Sequence, residues 1–99
     1  MSTSIRSTVL PTTIIHGLKT VTTAGTEVAL TTSKMLKDGV TVKALAANTG
    51  TIYVGLNPVT NLTGYPLAAG QSIFIKIHNS SLIYIDASVN GEGVAYIGS

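Results

Sequence analysis

The chain has 99 residues, enough for one domain with a single modest core. Charged side chains make up only 10% of it, against about 25% in an average soluble protein, and the net charge is +2. The absence of cysteine excludes a disulfide framework and a thiolate metal site, and no apolar run approaches the ~20 residues of a membrane-spanning helix.

Composition also narrows the class of partner. A small domain normally keeps its neighbours at a distance with mixed surface charge, whereas this chain uses Thr, Ser, Gly and Asn. Covering such a surface strips water from few full charges, so it suits contact with other protein. The basic residues Arg6, Lys19, Lys34, Lys37, Lys43 and Lys76 are scattered and form no stripe of the kind that nucleic acid requires. Neither nucleic acid nor membrane is expected as a partner.

Residues 1–13 read as a polar arm closed by Pro11, and residues 14–99 as the folded domain. The arm lacks the apolar stretch of a secretory signal, so synthesis and assembly in a cytoplasm are expected. Residues 18–23 and 27–31 flank Ala24-Gly25-Thr26 as a hairpin. Residues 32–38 fit two turns of helix or a strand and a turn. Val40, Val42, Ala44 and Ala46 share one face of a strand that ends in the turn Asn48-Thr49-Gly50. Ile52, Val54 and Leu56 share a face opposite Thr51, Tyr53 and Gly55, and Asn57-Pro58 ends that strand. Residues 60–70 read as a loop.

The clearest alternation follows. Ile73, Ile75 and Ile77 face one way, and Phe74, Lys76 and His78 the other. Ile83, Ile85 and Ala87 form a second inward row, opposite Leu82, Tyr84 and Asp86. Pairing Ile77 with Ile83 and Ile75 with Ile85 predicts a hairpin with an odd loop centred on Asn79-Ser80-Ser81. Asn90-Gly91 is a hairpin dipeptide joining residues 83–89 to 94–97. A two-residue turn there puts Val94 and Tyr96 on the Ile85 face, and a three-residue loop puts Ala95 and Ile97 there. Seven or eight short strands at this spacing predict an all-β chain, a single small β-sandwich with jelly-roll or immunoglobulin-like connections and an extended N-terminal arm. Tyr53, Phe74 and Tyr84, with Tyr96 under one of the two turn lengths, fall opposite the isoleucine rows.

Chemistry is sparse. His16 and His78 lie at strand ends, and zinc needs three or four ligands at close quarters. Glycoside cleavage would need two of Glu27, Asp38, Asp86 and Glu92 roughly 5–9.5 Å apart across a cleft, and the strand pattern implies none. Asn90-Gly91-Glu92-Gly93 with Asp86 offers two carboxylates, too few for a calcium loop. No Gly-x-Ser-x-Gly elbow and no phosphate-binding glycine loop is present. Neither enzymatic activity nor a cofactor is expected.

The run NTGTIYVGLNPVTNLTGYPLAAGQSIFIKI, residues 48–77, followed by LIYIDASVNGEGVAYIG, resembles small β-sandwich virion proteins of tailed bacteriophages. The shared elements are an Asn-x-Gly turn before an Ile-Tyr-Val-Gly strand, a Gly-x-x-Leu-x-x-Gly-Gln-Ser loop, an aliphatic strand and a closing Tyr-Ile strand. The resemblance implies that Leu67 enters the sandwich and that the chain turns at Gly70. A free-standing domain of this size looks most like a capsid decoration, or cement, protein. Such proteins sit on the outer head, commonly as trimers, and bridge neighbouring capsomers. The implied partners are the major capsid protein and further copies of the chain as a homotrimer, and the implied location is the virion. Ile5, Val9 and Leu10 are then the expected capsid-binding arm residues, and Tyr53, Phe74 and Tyr84 the expected trimer contacts. Two alternatives stand beside this reading. One is a tail or head-fibre component. The other is a carbohydrate-binding adhesion module using Tyr53, Tyr65 and Tyr84.

Overall fold

The computed structural model describes residues 14–99. The arm residues Ile5, Val9 and Leu10 lie outside the described residues. Eight strands follow in order: β1 (Ile15–Val21), β2 (Val28–Ala29), β3 (Val40–Ala44), β4 (Ile52–Leu56), β5 (Tyr65–Leu67), β6 (Ser72–Ile75), β7 (Ile83–Ala87) and β8 (Glu92–Gly98). They form two four-stranded antiparallel sheets. Sheet A has the order β1-β8-β3-β6 and sheet B the order β2-β7-β4-β5. The all-β sandwich expected from the alternation is therefore present.

The topology chooses between the two expected connection schemes. First strand pairs with last, second with seventh, third with sixth and fourth with fifth. Only the β4–β5 connection stays within one sheet; every other one crosses between sheets. Eight strands nested in this way over two sheets are a jelly roll.

The inward phase of each strand supplies the interior. Val40, Val42 and Ala44 of β3, Ile52 and Val54 of β4, Leu67 of β5, Ile83, Ile85 and Ala87 of β7 and Val94 of β8 are buried, with Ile73, Ile75, Ile77 and Tyr96 packed partly against them. Burying one such Val, Leu or Ile contributes about 1.5–3 kcal/mol, so this small core is the main source of stability. Leu67 enters the core and Gly70 turns with φ +81°, as the resemblance implied. Residues 60–70 are more than a loop, because Tyr65–Leu67 pairs with β4 as strand β5. Residues 32–38 form no helix; Met35 makes a lone bridge to Asn79.

Three expectations about pairing are corrected. The segments around Ala24-Gly25-Thr26, around Asn79-Ser80-Ser81 and around Asn90-Gly91 do not join neighbouring strands of one hairpin. Each carries the chain from one sheet to the other. Ile75 pairs with Val40, and Ile85 with Val54 and Val28, so the two isoleucine rows meet across the interior rather than side by side. Val94 and Tyr96 do face inward, but from the sheet opposite Ile85, which removes Tyr96 from the outer aromatic set. Ala46 lies beyond the end of β3 and Leu56 at the last position of β4, and both are exposed instead of continuing their inward rows.

Polar side chains hold these corners in pairs. Asn79 Oδ1 accepts from the N–H groups of Lys34 and Ser81, at 3.1 and 3.0 Å, and its amide donates to Ser33 Oγ at 2.9 Å. Ser80 is fully buried with its hydroxyl 2.6 Å from that of Thr31. The β6–β7 corner is thus tied to the β2–β3 corner. At the other end Asn90 Oδ1 accepts from Ala24 N at 2.7 Å, and Gly91 N donates to Val21 O at 2.8 Å, which ties the β7–β8 corner to the β1–β2 corner. A hairpin dipeptide requires positive φ in a tight turn, and Gly91 has φ +81°; the same local conformation serves a crossing between sheets equally well.

Candidate functional site

The carboxylates can be placed first. Glu27 accepts from Asn57 Nδ2 at 2.9 Å and from Val59 N at 2.8 Å. Glu92 accepts from Thr49 N at 2.6 Å, Thr49 Oγ1 at 2.9 Å and Gly50 N at 2.9 Å. Asp86 Oδ1 accepts from Gly25 N at 3.0 Å and Ala87 N at 2.7 Å. Three of the four acids therefore fasten loops by accepting backbone N–H groups. Among the described residues no three of His, Asp and Glu gather into a group able to hold a metal ion. His16 and His78 are both exposed.

Hydrogen bonds to the charged form, with the backbone bond from Thr49 foremost, hold the Glu92 carboxyl below its usual value of 4.5; partial desolvation opposes them. The sign follows from linkage. A depressed carboxylate stabilises the fold above its ordinary pKa, and the effect fades as pH falls through the folded-state value. Glu92→Gln is expected to melt below the parent at pH 7, with the gap closing as the pH is lowered from there through the folded-state value. Parallel thermal melts across that range check it. A gap independent of pH would mean that the charge on Glu92 contributes nothing.

A broad open feature among the described residues is the outer face of sheet A. Outward residues of its four strands line up in two rows, His16–Ile97–Thr41–Phe74 and Leu18–Ala95–Lys43–Ser72. All of them except Phe74 line a shallow trough of about 570 Å³. A second depression shares Ile97 and adds Ile14, Phe74 and Asp38. Ile14, Leu18, Phe74 and Ile97 are 60%, 69%, 58% and 53% exposed. Apolar side chains this open are ordinary singly; four gathered on one face mark a contact surface. The sequence pattern missed Leu18 and Ile97 for a local reason. The inward phase of β1 contains Gly17 and Lys19, so its alternation has no clear direction, and the phase of β8 depended on a turn length that the residues leave open.

The expected contact residues divide between surfaces. Phe74 belongs to the sheet A face. Tyr53 and Tyr84 lie on the outer face of sheet B, where Tyr53 is opposite Asp86 and Tyr84 is opposite Gly55, making the two rings diagonal neighbours. Tyr65 sits opposite Val54 at the rim of an apolar cleft with Ile73, Ile75 and Ile77, away from the other two tyrosines. The structure therefore brings together Tyr53 and Tyr84, and separates them from both Phe74 and Tyr65. A third depression, of about 450 Å³, lies between Tyr53, Asp86 and Ser88 of sheet B and the loops carrying Gly25 and Asn61. Gly64 leaves no room for a side chain against Tyr53 and Val59, so the 60–64 turn packs closely on the tyrosine.

Compared with protein-family models, with curated proteins and with solved structures, the chain finds no match.

Proposed function

We propose that this chain is a structural protein of a bacteriophage particle, a capsid decoration protein that binds the outer head surface and bridges neighbouring capsomers. The observation that carries the reading is the apolar outer face of sheet A, formed by Ile14, Leu18, Phe74 and Ile97. Covering it removes apolar area from water at about 25 cal/mol per Å², and among the described residues Lys43 is the one lysine or arginine lining the trough. Ile14, the first described residue, lies on the border of this face. The resemblance across residues 48–98 supports the same assignment. The jelly roll is compatible with it, although a fold alone assigns no function.

Contact through the face is favoured over contact through the sheet edge. β1 is an edge strand of sheet A, and Lys19 stands in its inward phase opposite Val94. An inward-pointing charge on an edge opposes strand addition from another chain. Assembly as a homotrimer belongs to the same proposal, with Phe74 the one expected trimer contact that shares this face.

Counting copies in purified particles, by quantitative mass spectrometry against the major capsid protein, tests the reading. Hundreds of copies, near one per capsid subunit, are expected. A handful per particle would move the chain to the tail or a fibre, and absence from the particle would overturn the virion assignment.

A further inference from the structure

Asp86 is the most deeply buried charged side chain among the described residues, at 3% exposure. Its Oδ1 takes two backbone N–H groups, but Oδ2 has no hydrogen-bond partner among the described residues. A carboxylate oxygen that is not engaged by the protein is free to accept a hydrogen bond from a molecule seated beside it. This carboxylate lines the depression of about 450 Å³ beside Tyr53, and neither Lys nor Arg lines it. The ligand that completes it is therefore a hydrogen-bond donor.

The other lining groups define that donor further. Ser88 Oγ accepts from Thr51 N at 2.8 Å, which leaves its own proton to donate. The exposed Asn61 amide makes no hydrogen bond within the described residues and can both donate and accept. Tyr53 is half-buried and presents its ring to the depression, with Gly64 packed closely against its Cβ. Thr60 also lines the depression, but its hydroxyl is engaged by Leu62 N and Thr63 Oγ1. The remaining acceptor, donor, amide and aromatic ring match a ligand with hydroxyls on its edge and C–H groups on its face. A calcium or magnesium ion does not match, because it takes six or more oxygen ligands and Asp86 is the one carboxylate lining this depression among the described residues.

We propose that the depression between Tyr53, Asn61, Asp86 and Ser88 binds a neutral saccharide, with one pyranose ring against Tyr53 and a hydroxyl donating to Asp86 Oδ2. The site faces away from the sheet A surface, so it remains open while that surface is covered. It holds whether or not the chain decorates a capsid.

Titration of the ¹⁵N-labelled full chain with methyl glycosides of glucose, galactose, mannose and N-acetylglucosamine, followed by amide chemical shifts, tests this. Saturable shifts confined to Gly25, Asn61, Ala87 and Ser88 are expected for at least one sugar, with Kd of about 1 mM. Asn61→Ala and Ser88→Ala should each weaken binding about tenfold, and Tyr53→Ala should abolish it, while well-dispersed spectra show that the fold persists. Asn61 is a solvent-facing loop residue, so its variant keeps the test valid even if Tyr53→Ala fails to fold. Four outcomes would overturn the proposal: no response to any of the sugars at tens of millimolar, shifts located elsewhere, affinity unchanged in Asn61→Ala, or a response at this site to calcium or methylamine but to no sugar.

Discussion

Ile85→Ala is expected to lower the stability of the domain by about 2–5 kcal/mol, out of a total of about 5–15 kcal/mol for a domain of this kind. Ile85 is fully buried in the interior of sheet B, between Val28 on one neighbouring strand and Val54 on the other. Truncation there removes the transfer energy of three carbons and leaves a cavity that a twin-sheet interior cannot close without moving both sheets. Each 1 kcal/mol shifts the melting temperature of a domain this small by about 4–8 °C, so a fall of at least about 8 °C is expected. Ile85→Val should cost only about 0.5–1.5 kcal/mol. Leu62→Ala, at a loop position 89% exposed, should stay within about 0.5 kcal/mol of the parent. Urea unfolding of the three variants reads the ordering directly. Equal costs for Ile85→Ala and Leu62→Ala would mean that β7 does not close the interior.

The second large effect concerns function, and its expected signature is the opposite one. The double substitution Leu18→Glu with Phe74→Glu should leave the stability of the isolated domain within about 1 kcal/mol, because both side chains are more than half exposed. Attachment to capsids lacking the protein should weaken by at least about 30-fold for each position that acts as a hot spot worth 2 kcal/mol or more. Tyr84→Ala, on the other outer face, is the control and should attach normally. Co-sedimentation with such capsids measures all of these. If Tyr84→Ala abolished attachment while the double variant attached, the contact surface would be sheet B. The two outer faces look in opposite directions. A contact joining Phe74 of one copy to Tyr53 and Tyr84 of the next would therefore propagate along a line rather than close a ring. For this reason one face, rather than an aromatic belt, is assigned to the partner.

Asp86 shows how a correct reading of position can miss a role. Its place in the outward phase of β7, beside Tyr84, is plain from the alternation of residues 82–87. Outward position ordinarily means exposure. Here the Gly25 loop folds over the carboxylate and buries it, and nothing within five residues of Asp86 signals that a segment 61 positions away will do so. Glu27 and Glu92 are similar. Their partners Asn57, Val59, Thr49 and Gly50 lie on loops distant in the chain.

By itself the sequence determined the local properties: the all-β class, the inward phases of β3, β4, β6 and β7 and the turn at Asn48-Thr49-Gly50. Each of these depends on side-chain alternation or on a few adjacent residues, and alternation with period two is written directly into the chain. Only the tertiary structure decided which strands pair. Inward-facing isoleucines bury equally well beside one another in a hairpin or across from one another in a sandwich. An Asn-Gly or Ala-Gly corner likewise serves a hairpin or a crossing between sheets. The choice rests on long-range terms, the nesting of first strand with last and the side-chain ties that join corners in pairs. That choice placed Phe74 on one outer face with Leu18 and Ile97, and Tyr53 on the other beside the buried carboxylate of Asp86. Both candidate surfaces are products of pairing, which is why neither was visible one strand at a time.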